Sequence, residues 1–193
     1  MAGRDSNVQK DPGPEPVPVL VLTGPVAVGK TTVAHEAVEL LKSAGIPTAF
    51  ADLPALGVCL PPPPDDPWNE RLVHANLAAV WQNFRAAGAQ RLIVARVLEN
   101  RTLRNQLEEA VPGAAVTTVR LSARIEVLEE RILARYPFNP GWYLAAARNL
   151  VTSMAKSRAE DHVVAGDAGT PVEIAVAVLR AAGWLDIDVD PRS

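Results

Sequence analysis

The sequence predicts an α/β domain of three layers, α/β/α, around a five-stranded parallel sheet. Three observations carry this expectation. Five short runs rich in Val, Ile, Leu and Ala alternate with segments whose apolar residues recur at helical spacing. A Gly-rich turn separates the first apolar run from the first helical segment. Gly45, Gly88 and Gly183 stand just past helical segments, where a glycine in left-handed conformation ends a helix. Strands that alternate with helices are joined by crossovers, which make neighbouring strands parallel and cover both faces of the sheet.

In chain order, strands are expected at 17–22, 47–51, 91–97, 116–121 and 162–165. Helices are expected at 31–44, 69–87, 103–110, 125–135, 142–158 and 171–182. In the first of them Val33, Ala34, Ala37, Val38 and Leu41 repeat at helical spacing. The last opens with Thr170 as N-cap and Pro171 at the first helical position. One segment is compositionally odd. Four consecutive prolines, followed by Asp65-Asp66-Pro67, forbid helix and favour a stiff, extended connector between the second strand and the second helix.

Length and charge narrow the function classes. The 193 residues suffice for one well-buried domain, expected at 17–185, between disordered tails at 1–16 and 186–193. The first tail is polar and lacks the apolar centre of a signal peptide. A net charge of −3 with no basic stripe speaks against a nucleic-acid partner. No apolar run approaches the roughly 20 residues of a membrane span, so no membrane partner is expected. The single cysteine, Cys59, excludes an internal disulfide and fits a reducing cytoplasm. Monomer and homodimer both remain open.

The turn after the first strand carries chemistry. Gly24-Pro-Val26-Ala27-Val28-Gly29-Lys30-Thr31 matches the phosphate-cradling pattern G-x-x-x-x-G-K-[ST], with the strand before it and the helix after it that the pattern requires. Its glycines let the backbone approach an anion closely, and the following helix offers its N-terminus. The expected ligand is a nucleoside triphosphate. Lys30 and the backbone from Val26 through Thr32 hold its phosphates, and the Thr31 hydroxyl takes a place on Mg²⁺. The predicted architecture is thus the three-layer P-loop NTPase fold.

No Asn-Lys-x-Asp, Asp-x-x-Gly or Leu-Ser-Gly-Gly signature follows, which disfavours GTPases and transporter ATPases, and the chain is short for a large oligomeric ATPase. With those set aside, the layout resembles the nucleoside-monophosphate-kinase-like group of P-loop kinases, in particular the small-molecule branch that contains chloramphenicol phosphotransferase, adenylylsulfate kinase and gluconate kinase. The resemblance spans about residues 17–183, and its specific motif is the P-loop. It implies an ATP- and Mg²⁺-dependent transfer to a hydroxyl on a small molecule. It also implies an acceptor-binding arm and helix at 53–88 and a mobile lid at 131–145.

Several residues are candidates within that frame. Asp52, at the carboxyl end of the second strand, either deprotonates or orients the acceptor and metal, or caps the next turn. Arg131 and Arg135 share one helix face with no carboxylate three or four positions away. They either stabilise the transferred phosphoryl or form a solvated face. Arg96 stands at the end of the third strand, where related enzymes carry a metal-holding Asp. Glu99 or Asp52 is left to take over that outer shell. Arg96 itself binds an anionic acceptor group or makes a strand-end salt bridge. His74, Asn76, Trp68, Trp142 and Tyr143 are open between pocket and packing roles. The 167–171 loop is open between adenine contact and helix capping, and His35 is expected at the surface. Two other readings stand beside the small-molecule kinase: a nucleotide or nucleoside kinase with Arg96 on the acceptor's phosphate, and a non-catalytic ATP-binding regulator.

Overall fold

The computed structural model describes residues 16–99 and 101–185. Apart from Pro16, the tails expected at 1–16 and 186–193 lie outside the described residues. The first strand, β1 (Val17–Thr23), is the centre of a five-stranded, wholly parallel sheet. Its neighbours are β3 (Arg91–Ala95) and β4 (Ala114–Ser122), with β2 (Thr48–Asp52) and β5 (His162–Ala165) at the edges, in the order β2-β3-β1-β4-β5. Pro18 sits in this central strand without breaking it, because the β1–β3 register begins one residue later, at Val19 and Leu92.

β1 is apolar at successive positions because both of its faces are covered. Val19 and Val21 point into one core with Leu77, Trp81, Leu92, Val94 and Leu107. Leu20 and Leu22 point into the other with Ala34, Leu41, Ile93, Leu128 and Leu179. The first core lies beneath α3 (Glu70–Ala86) and α4 (Arg101–Ala110). The second lies beneath α1 (Lys30–Ser43), α5 (Ile125–Arg135) and α7 (Pro171–Ala181). A further helix, α6 (Gly141–Ser157), packs on α5. The three-layer α/β/α arrangement predicted from the sequence is the one observed.

Two local differences matter for the site. A single-turn helix, α2 (Leu53–Leu56), follows β2 directly and has no counterpart among the expected elements. β3 ends at Ala95 rather than 97. Beyond it, Arg96 N still donates to Leu22 O at 3.1 Å, and Leu98 N turns away to donate to Thr23 Oγ1 at 2.8 Å.

The proline-rich connector is not a straight rod. It folds through two turns, closed by Asp66 N donating to Pro63 O and Asn69 N donating to Asp66 O. The buried Asp66 carboxylate then accepts from Glu70 N at 2.8 Å and Arg71 N at 3.1 Å, satisfying two free donors of the first turn of α3. Asn69 donates its amide to Gly57 O and Cys59 O, tying the connector back to the end of α2. At the other end of the chain, Thr170 and Glu173 form a reciprocal capping box on α7. Replacing Asp66 with Ala is expected to lower stability by about 2 kcal/mol, and Thr170→Ala by about 1 kcal/mol, both read from the urea midpoint.

Candidate functional site

The turn between β1 and α1 lies at the carboxyl edge of the sheet, where open α/β folds bind ligands. Three of its residues have positive φ: Gly24 at 142°, Ala27 at 63° and Gly29 at 104°. Gly24 is required twice over, since a Cβ there would also sit 2.5 Å from Leu121 O. Gly29 has open space around it and is required by its φ alone. It stands immediately before α1, whose first turn has neither a side-chain cap nor an acidic residue. That leaves the helix's positive end and its unpaired N–H groups facing the turn.

Lys30 lies across this turn and donates to Gly24 O at 2.9 Å and Pro25 O at 3.0 Å. Its burial pushes the ammonium pKa down to about 8, with Asp52 opposing the shift and Arg135 adding to it. The neighbouring Thr31 donates its hydroxyl to Asp52 Oδ2 at 2.8 Å. Asp52 ends β2 and precedes α2, yet its side chain makes no capping bond to that helix. The Asp52 side chain therefore partners Thr31 and makes no cap on the turn that follows it. Hydroxyl and carboxylate oxygens together form a donor set suited to a hard divalent cation.

Two hollows open on opposite sides of the turn. The smaller, about 300 Å³, is lined by Ala27, Val28, Gly29 and Thr32 together with Arg131 and Arg135 of α5. The larger, about 670 Å³, begins at Val26 and runs between α2, α3 and α6. The turn thus forms the wall between them.

Arg131 and Arg135 face the smaller hollow and enter no ion pair among the described residues. Arg131 Nη1 donates to Val28 O at 3.2 Å and, at 3.4 Å, to Gly166 O after β5, joining α5 to the turn. Arg135 lies over the Tyr136 ring, 5.4 Å from its centroid. The 167–171 loop does structural work: Asp167 accepts from Arg124 N and Nε, both at 3.1 Å, while Gly169 and Pro171 border the smaller hollow. The Arg124 contacts hold the Asp167 carboxyl below the usual carboxylate range.

The remaining candidates divide cleanly. Arg96 is buried and its Nη2 donates to both carboxylate oxygens of Glu70, at 2.9 and 2.8 Å, so it is the salt-bridged strand-end arginine. His74 stands 3.3 Å from Arg96 Nη1, and Asn76 donates to Leu56 O, bracing α2 against α3. Trp68 and Trp142 line the larger hollow. Tyr143 stacks instead on Tyr136, with ring centroids 3.7 Å apart. Glu99 borders the larger hollow and accepts from Ser153 Oγ at 3.4 Å, whereas the partner of Thr31 is Asp52. His35 is exposed and meets Phe50 edge-on. Glu70 was not among the expected site residues. Its partnership with Arg96 spans 26 positions and leaves no local signal in the sequence.

No protein-family model matches the chain, and no curated protein matches it in sequence. Solved structures do. A tunicamycin resistance protein from Deinococcus radiodurans superposes with a TM-score of 0.64 at 20% identity, covering 87% of this chain and 96% of that one. A gluconokinase from Sinorhizobium meliloti 1021 gives 0.56 at 22% identity, covering 88% and 94%. A shikimate kinase from Aquifex aeolicus gives 0.54 at 20%, covering 86% and 96%. These likenesses establish the fold. The chain shares its fold with these proteins over nearly its whole described length, as the order of strands and helices in its sequence leads one to expect.

The lowered pKa of Lys30 has a thermodynamic signature. Between pH about 8, its value in the folded chain, and 10.5, its ordinary value, the unfolded chain holds the Lys30 proton and the folded chain does not. Stability of the ligand-free protein therefore gains a rising component across that window. Lys30→Met is expected to flatten it, as read from urea unfolding at a series of pH values.

Proposed function

We propose that this chain is a Mg²⁺-dependent kinase that moves the γ-phosphoryl group of ATP to a hydroxyl of a small molecule. The observation that carries the reading is the Thr31–Asp52 hydrogen bond of 2.8 Å, which sets a carboxylate beside the phosphate-cradling turn. The shared fold with a gluconokinase and a shikimate kinase supports the same reaction type.

In this reading the N–H groups from Val26 through Thr32 hold the phosphates. Lys30 leaves the carbonyls of Gly24 and Pro25 to pair with phosphate oxygens. Magnesium, when bound, neutralises charge on the phosphates; the chain's own donors for it are the Thr31 hydroxyl and, through water, Asp52. Asp52 accepts the proton of the acceptor hydroxyl as its oxygen bonds to the γ-phosphorus and the bond to the β-phosphate oxygen breaks, releasing ADP. Arg131 and Arg135 stabilise the charge on the moving group as the 131–145 segment closes. The ion pair of Arg96 with Glu70 weighs against a nucleotide kinase, in which Arg96 would have to be free for the acceptor's phosphate.

Acceptor-dependent ADP release is the decisive measurement. Lys30→Ala and Asp52→Asn are each expected to lower kcat by about a hundredfold or more, and Arg135→Ala by a similar factor. Slow ATP turnover that ignores every acceptor and is unchanged in Asp52→Asn would instead identify a nucleotide-binding regulator. Binding of ATP at pH 8.5 is also expected to take up a proton, because the phosphates restore the charge of Lys30. Calorimetry in two buffers of different ionisation enthalpy reads this directly, and Lys30→Met should abolish it.

A further inference from the structure

The larger hollow carries a charge pattern that restricts what it can accept. Arg96 is the cation among its lining residues, and its side chain is only 7% exposed. Most of its donors are already engaged: Nη2 with both oxygens of Glu70, Nε with Val97 O at 3.3 Å, and Nη1 with His74 Nε2. A carboxylate or phosphate entering the hollow would have to compete with Glu70, whose side chain is 35% exposed, for a guanidinium that is itself largely out of water, leaving one of the two acids without a cation. Glu99, at the same wall, pairs with no cation among the described residues and accepts only from Ser153 Oγ. Among the described lining residues, one guanidinium stands against two carboxylates, an excess of negative charge.

Apart from Asn149, the rest of the surface is mainly apolar and aromatic. Leu53 and Val73 form its floor, and Trp68 and Trp142 flank its mouth at 70% and 59% exposure. Trp142, Ala146 and Asn149 recur at i, i+4 and i+7, so one face of α6 looks inward. Large aromatic side chains left open to water at the rim of a hollow mark a surface that a ligand covers. Its volume of about 670 Å³ falls within the range of sites for drug-sized ligands.

We propose that the acceptor is a hydroxyl-bearing amphiphile without a carboxylate or phosphate, whose apolar ring is covered by Trp68 and Trp142. The Asn149 amide, which both donates and accepts, serves the hydroxyl groups of its polar side. Calling this molecule the acceptor rests on the kinase reading, whereas the selectivity belongs to the hollow alone.

Phenyl β-D-glucoside and phenyl β-D-glucuronide test it, since they share ring and sugar and differ by one carboxylate. Binding of each to the full chain without nucleotide is measured by calorimetry. The glucoside is expected to bind about tenfold more tightly. Trp68→Ala and Trp142→Ala should each weaken it several-fold. Glu99→Gln, an exposed change that does not threaten the fold, should narrow the gap by strengthening the glucuronide. The proposal is overturned if the glucuronide binds as well as the glucoside, or if the glucoside fails to bind at millimolar concentration. Turnover plays no part in these outcomes, so they remain separate from the ADP-release assay that decides the kinase reading.

Discussion

Everything at this site depends on a backbone constraint: the chain must leave β1 and enter α1 through a turn with positive φ at Gly24, Ala27 and Gly29. That turn aims the uncapped start of α1 at the carboxyl edge of the sheet. It also presses Gly24 against Leu121 O on β4, and there a Cβ would not fit. The position of Lys30, the reach of Thr31 to Asp52 and the two hollows on either side all follow from where this turn runs. The sheet supplies rigidity, since β1 is paired on both sides and buried on both faces.

Charge is distributed unevenly about the turn. On the side of α5, Arg131 and Arg135 bring positive charge and no described carboxylate pairs with either. On the side of α2, α3 and α6, the cation is neutralised by Glu70, and Glu99 adds an acid. A polyanion is therefore suited to one side and an uncharged molecule to the other. The turn separates them by the width of a loop, and Asp52 stands beside it. In the proposed reaction, such a division would keep two chemically unlike reactants close together without either competing for the other's place.

Much of this was legible in the sequence. The five strands, their alternation with helices, the capping role of Thr170 and the turn from Gly24 to Gly29 between β1 and α1 all follow from local patterns of two to ten residues. Ends of elements were less legible, because Val97 and Leu98 resume the apolar character of β3 after Arg96 while the backbone already turns toward Thr23. The four-residue α2 is too short to show periodicity. The connector's prolines suggested a rod, but its shape is decided by the side chains of Asp66 and Asn69, which bond to backbone on either side. Least legible was the state of Arg96. Only the packing of α3 over the end of β3 brings Glu70 to it, and nothing local in either segment announces the pair.

The central place of β1 has a consequence for the chain during its synthesis. The strand that leads into the cradle emerges first, yet Val19 pairs with Leu92 on one side and Val116 on the other. Until β3 and β4 have left the ribosome, four consecutive apolar residues, Val19 to Leu22, have no sheet to join. The nascent polypeptide must carry this adhesive segment unprotected through the translation of almost a hundred further residues. A message truncated before β4 would yield not a weakened protein but one with no cradle at all, and with an open strand available for aggregation.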